Sequence, residues 1–309
     1  MTRVLAWFAG HGGIAFPASL ALGLLVPSVA SLIRPWLYVI VLVLTFFVML
    51  RIDLAAALHD LRRPGPMLAV LAATLLAAPP IAWAFARLAG FPPGLAAAVV
   101  VTACAPSITS APAFARIMGL DPAFALSAAV AGMIASPFTA PPLALSLAGM
   151  DLALTVPTMM ARLGGFVGVP MLAALAARRA APGFLAARTQ QTDGLTVASL
   201  CVFATGVMDG VTALAIAAPW HAAGMLGAAF ALNALLFAFG ALVFLPAGIE
   251  RRLTAGLLVG NRQMALMLAV LPEGAPRDVT LFLAVAQLPL YLNPFLLRPL
   301  LRRLLPPAD

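Results

Sequence analysis

Residues 91–118, FPPGLAAAVVVTACAPSITSAPAFARIM, and residues 251–271, RRLTAGLLVGNRQMALMLAVL, decide how this chain folds. Each is an apolar run long enough to cross a bilayer, which takes about 20 residues. Each turns polar near its middle, at Pro106-Ser107-Ile108-Thr109-Ser110 in one and Asn261-Arg262-Gln263 in the other. Pro106 and Pro112 lack an amide donor and disfavour helix in the residue before them, so backbone groups come free at mid-membrane depth. Hydrocarbon cannot satisfy such groups; protein, water or a bound ligand must. One proline alone reads as an ordinary kink, but two interrupted polar spans in one chain point to a binding site on broken helices. Amino ends of half-helices suit anions, and freed carbonyls suit cations.

Composition agrees with that start. The chain has 309 residues, 63% hydrophobic and 9% charged, with a mean hydropathy of +1.08. That is about 195 apolar side chains, more than a soluble domain of this length can hide, whereas ten spans would use about 200. The expected fold class is therefore an all-α membrane protein of ten transmembrane helices, which excludes most soluble enzymes. The net charge of +8 and pI near 11.3 do not indicate nucleic acid, because the 18 basic residues are scattered singly or in pairs at the ends of apolar stretches. Cys104 and Cys201 lie in apolar stretches and make no disulfide framework or metal-type spacing. His11, His59 and His221 lie near different span ends and propose no metal site. No H-E-x-x-H, no G-x-S-x-G and no pair of mid-membrane aspartates occurs, so an intramembrane enzyme lacks its reagents. Residues 1–10 carry too short an apolar run for a cleavable signal, so the chain is expected to be inserted by its own first spans.

Apolar runs bounded by Arg, Asp, Gly and Pro predict spans near 14–32, 36–58, 66–89, 91–118, 121–149, 151–177, 194–217, 221–246, 251–271 and 278–301. With the amino terminus cytoplasmic, thirteen Arg fall inside: Arg3, Arg51, Arg62, Arg63, Arg116, Arg178, Arg179, Arg188, Arg251, Arg252, Arg298, Arg302 and Arg303. Arg34, Arg87 and Arg277 fall outside, and Arg162 and Arg262 remain at membrane depth. Adding or removing one span destroys the asymmetry, so both termini are expected on the cytoplasmic side of the inner (plasma) membrane.

Shifting the chain by 157 residues lays Ser136-Pro137-Phe138 over Asn293-Pro294-Phe295, Asp121 over Asp278, and Cys104 to Ser110 over Asn261 to Met267. Five spans per half would orient the copies oppositely, which predicts an inverted repeat of residues 1–150 and 151–309. Arg262 is the most informative residue, since a charge at mid-span is expensive unless it meets a polar cavity, a partner or a substrate. Arg162, among Gly164, Gly165 and Gly168, is open to pairing with Asp209 or with carbonyls. Asp121-Pro122 reads as an N-cap followed by proline at the first helical position. The candidate substrate-binding residues are Pro106, Ser107, Thr109, Ser110, Asn261, Arg262 and Gln263.

The residues resemble those of the bile acid:sodium symporter family, ten-span transporters of a superfamily that also takes in arsenite and organic-anion carriers. The likeness rests on Leu37 to Pro64, on Pro79 with Ala82-Trp83, and on Cys104, Pro106 and Thr109. Ala125-Leu126-Ser127 with Pro137 and Pro141, and Gln263 with the apolar run after it, extend it over roughly residues 14–305. The resemblance implies a panel of spans 1, 2, 6 and 7 and a core of spans 3–5 and 8–10. It also implies broken fourth and ninth helices that cross near mid-membrane, and alternating access by relative movement.

The chain also departs from the family. Sodium-coupled members carry Ser-Asn after the fourth-span Thr, a Glu four residues before the ninth-span Gln, and a polar third-span residue. Here those positions hold Ser110-Ala111, Val259 and at most Thr74, leaving a degenerate sodium site of Thr74, Ser127 and Gln263. The expectation is a secondary transporter of organic anions, bile-acid-like or small carboxylates, with altered or absent sodium coupling. No cofactor is expected beyond that open question of sodium. The partners expected are a small organic anion and the bilayer, with no nucleic acid. Two alternatives stay open: a metalloid efflux carrier using Cys104 as thiolate, and a membrane sensor that does not transport.

Overall fold

The computed structural model describes residues 2–51, 64–149, 151, 154–272, 274–293 and 296. Asp53, His59, Asp60, Arg62, Arg63, Glu273, Pro294, Phe295, Arg298, Arg302 and Arg303 lie outside the described residues, with the readings made of them. Regular structure among the described residues is helical. Among the described residues, six helical runs are long and apolar enough to cross a membrane: Pro27–Leu50, Pro64–Leu88, Pro122–Leu147, Val156–Ala180, Thr189–Ala217 and Pro219–Val243. The protein is a multi-pass membrane protein.

The chain divides into two compact units, and neither is a sequence half. One takes the described residues of Met1–Ile52 and Arg162–Ala223, the other those of Asp53–Ala161 and Gly224–Asp309.

The first unit contains α1 (Thr2–Leu25), α2 (Pro27–Ile33), a 3-10 turn (Arg34–Trp36) and α3 (Leu37–Arg51). It also holds α9 (Val156–Ala180) from Arg162 onward, α10 (Pro182–Ala186), α11 (Thr189–Val207) and α12 (Val211–Ala217). Helices α1 and α11 approach closely because Gly23 faces the Thr205 carbonyl and Gly194 faces the Leu5 backbone, where a Cβ would collide. Thr205 Oγ1 donates to the Ser19 carbonyl at 3.1 Å and Thr212 Oγ1 to that of Leu24 at 2.6 Å.

Three expected boundaries move in this unit. The first helix begins at Thr2 and ends at Leu25, because Pro27 starts the next helix and Val26 sits outside helical geometry. Arg34, expected in an outer loop, lies inside the helical run 27–51, where it donates to Asp209 at 2.7 Å; Pro35 is accommodated by the 3-10 turn. The seventh span is split at Met208 to Gly210, where Gly210 adopts φ +80° and opens α12.

The second unit begins with α4 (Pro64–Leu71), a π-helical turn (Ala72–Ala77) and α5 (Ala78–Leu88). Then come α6 (Pro93–Cys104), α7 (Ala111–Met118) and α8 (Pro122–Leu147). It ends with α13 (Pro219–Val243) from Gly224 onward, α14 (Ile249–Gly260), α15 (Met264–Val270), α16 (Arg277–Val285) and a further helix over 287–293. Asp121 caps α8 through Oδ1, which accepts from the amides of Ala123 and Phe124 at 3.1 and 2.9 Å. Helix α8 continues through Pro137 because the Ser136 hydroxyl donates, at 2.8 Å, to the Met133 carbonyl that the proline leaves without a partner.

Candidate functional site

Helix α6 ends at Cys104 and α7 starts at Ala111; helix α14 ends at Gly260 and α15 starts at Met264. The two non-helical stretches meet in an isolated antiparallel bridge between Ser107 and Arg262. The amide of Ile108 donates to the Asn261 carbonyl at 3.0 Å, and that of Gln263 to the Pro106 carbonyl at 2.8 Å. Ala105 is extended, at ψ 147°, as a residue before proline tends to be. The bridge register differs by two residues from the offset at which the proline motifs superpose.

Helix ends inside protein leave carbonyls that need donors, and here side chains from other elements supply them. In the last turn of α14, the Leu257 carbonyl accepts from the Asn261 amide at 3.0 Å and the Leu258 carbonyl from Ser107 Oγ at 2.7 Å. The Gly260 carbonyl accepts from Asn233 Nδ2 at 3.0 Å. On the other strand of the crossing, the Ala105 carbonyl accepts from Arg262 Nη1 at 3.0 Å.

Arg262 is 1% exposed. Besides Ala105, its Nη1 reaches the carbonyl of Thr74 at 2.8 Å. That oxygen is available for a reason written into the third span. In the π turn the Ala78 amide bonds five residues back to Ala73, and the next amide position is Pro79, which has no hydrogen to give. Thr74 is thereby left without a helical donor, and Arg262 replaces it. Nε and Nη2 of Arg262 are buried with no hydrogen-bond partner.

The predicted site residues Pro106, Ser107, Asn261, Arg262 and Gln263 are all buried at this crossing. Thr109 and Ser110 border it, half-buried; the Thr109 amide points at Gln263 Oε1 at 3.4 Å, and Ser110 Oγ has no partner. Of the candidate cation ligands, Thr74 contributes its carbonyl to Arg262 while its Oγ1 has no partner. Ser127 Oγ donates to its own helix at the Ala123 carbonyl, 3.1 Å away. Among the described residues no group of three His, Cys, Asp or Glu could hold a metal ion.

Sequence reading missed Asn233 and Asn293. Asn233 Nδ2 also donates to Asn261 Oδ1 at 3.0 Å, and Asn293 Nδ2 donates to Asn233 Oδ1 at 2.5 Å. The signal was present: Asn233 is the lone amide in the apolar helix α13, and a polar residue there needs a partner. At the end of the crossing, Asp121 links to α14, its amide donating to Thr254 Oγ1 at 3.1 Å and its Oδ2 lying 3.5 Å from Arg251 Nη2.

The family model of the sodium bile acid symporter family matches residues 38–238. That segment takes in Thr74, the first interruption and Asn233, and stops before Asn261. No curated protein matches the chain.

Proposed function

This chain belongs to the sodium bile acid symporter family, whose members are membrane transporters and not enzymes, and from that premise we propose that it carries small or amphipathic organic anions by alternating access. Arg262 receives the anion. The observation that carries this reading is the division of labour within one guanidinium. Nη1 is held by two backbone carbonyls, which fixes the plane of the group, while Nε and Nη2 are buried without partners. Nε–H and Nη2–H form the side-on edge of arginine, two parallel donors whose spacing matches a carboxylate. Among the described residues no carboxylate pairs with Arg262, so its charge awaits a partner from outside the chain.

Coupling follows from the same geometry. The Thr74 and Ala105 carbonyls are oxygens of the kind a bound cation uses, and the guanidinium of Arg262 stands against both. Arg262 then supplies as a tethered charge what a sodium ion would supply, and transport is sodium-independent or proton-linked. The ten-span reading, with inverted repeats, a panel and a core, and cytoplasmic termini in the inner membrane, belongs to this proposal. The panel and core grouping is supported by the two compact units, which draw on spans 1, 2, 6 and 7 and on spans 3–5 and 8–10.

Uptake of an organic carboxylate into proteoliposomes, with sodium or choline outside, tests both parts. Equal uptake in the two salts is expected, abolished by Arg262→Ala and partly kept by Arg262→Lys. Strong sodium dependence of the unmodified protein overturns the coupling, and full uptake by the Ala variant overturns the role of Arg262.

A further inference from the structure

Asn233 sits in the middle of α13, buried, and its three hydrogen bonds, two donated and one accepted, allow one orientation of its amide only. The Gly260 carbonyl has lost its helical donor, because the Met264 amide four residues on bonds to Arg262 instead, at 3.0 Å. A carbonyl can only accept, so the atom of Asn233 that faces it must be the amide nitrogen. The same nitrogen faces Asn261 and demands the oxygen of that side chain. The remaining oxygen of Asn233 accepts from Asn293. One backbone carbonyl thus sets the direction of three side-chain amides.

The consequence falls on Asn261, whose oxygen is committed to Asn233. What it has left to offer a ligand is Nδ2, with two donors and no acceptor. Arg262 next to it offers donors only. Asn261 and Arg262 present donors only, which suits a group that only accepts, such as a carboxylate, and penalises a primary amide that turns its own N–H groups toward these two side chains.

We propose that Asn233 is a positioning residue that locks Asn261 as a hydrogen-bond donor and thereby sets the preference of the site for carboxylates over their neutral amides. The inference rests on the reading of Asn261 and Arg262 as the anion site. Asn233 itself lies behind Asn261 and acts through it.

The test measures binding to the purified full chain by thermal shift and equilibrium titration. The probes are hexanoate and cholate, each against its primary amide. Asn233→Leu is expected to weaken carboxylate binding about tenfold while leaving amide binding unchanged, so that the preference collapses. In an Asn261→Ala background the same substitution is expected to add no further loss. Asn233→Ser keeps a hydroxyl donor near the Gly260 carbonyl, is expected to fold with a melting temperature close to that of the unmodified protein, and still loses the preference. Equal weakening of carboxylate and amide, or additive losses in the double variant, overturns the proposal and leaves the carrier reading standing. If the unmodified protein binds no carboxylate at all, the carrier reading fails and this inference with it.

Discussion

The interruption at residues 105–110 contains its cause, a proline at 106 with an extended residue before it, whereas the one at 261–263 contains neither proline nor glycine. The second is held open from outside. Asn233 of α13 takes the Gly260 carbonyl, Ser107 takes that of Leu258, and Arg262 is drawn to Thr74 and Ala105. A helix can be broken by removing a donor from its own ladder, or by offering its backbone better partners elsewhere. The first mechanism is local and survives loss of neighbours; the second exists only while the neighbours do.

That contrast makes a ranked set of expectations. Arg262→Met keeps the volume but removes the donor shared by the Thr74 and Ala105 carbonyls. Leaving two buried acceptors unpaired costs about 1–3 kcal/mol each, so the melting temperature in detergent should fall furthest for this variant. An unchanged melting temperature would break the comparison outright. Next comes Gly240→Ala, whose Cβ would stand 2.7 Å from the Ala255 carbonyl oxygen and 2.8 Å from the Val259 Cβ, forcing α13 away from α14. Overpacking of this kind costs about 1–3 kcal/mol. Because it carries Asn233 away from Gly260, amide exchange should rise at residues 261–264 and stay unchanged at 105–110.

Ser107→Ala strands the Leu258 carbonyl and should cost about 1 kcal/mol, read as a smaller drop in melting temperature. Pro106→Ala should do least. The bridge from Ile108 and Gln263 remains, so the expected change is the unfolded-chain entropy of about 0.4–1 kcal/mol, with uptake retained. If Pro106→Ala proves more damaging than Arg262→Met, the bridge from Ile108 and Gln263 does not hold 105–110 open without the proline, and the ranking drawn above fails.

How much could be read without coordinates differed by the same rule. The break at Pro106, the cap at Asp121 and the polarity of Asn261 to Gln263 are local chemistry and were readable as such. The boundary at Arg34 was misread because a proline after an arginine looks like a loop, and only Asp209, far along the chain, explains why a charge can remain within a helical run. Thr74 entered the sequence reading only as a degenerate sodium ligand, and nothing in its residue type pointed to Arg262. Its carbonyl became the partner of Arg262 only because the π turn and Pro79 together withdrew every helical donor, an outcome that no single residue announces.

Apolar length, helical class, family membership and the location of the first break follow from residue types and their spacing, since burial in lipid and the missing amide of proline act wherever those residues stand. Which carbonyls Arg262 grips, which edge of it is left unpaired, and which way Asn261 points were decided in three dimensions. Hydrogen bonds choose among partners by distance and direction, and these partners come from helices separated by tens to hundreds of residues along the chain.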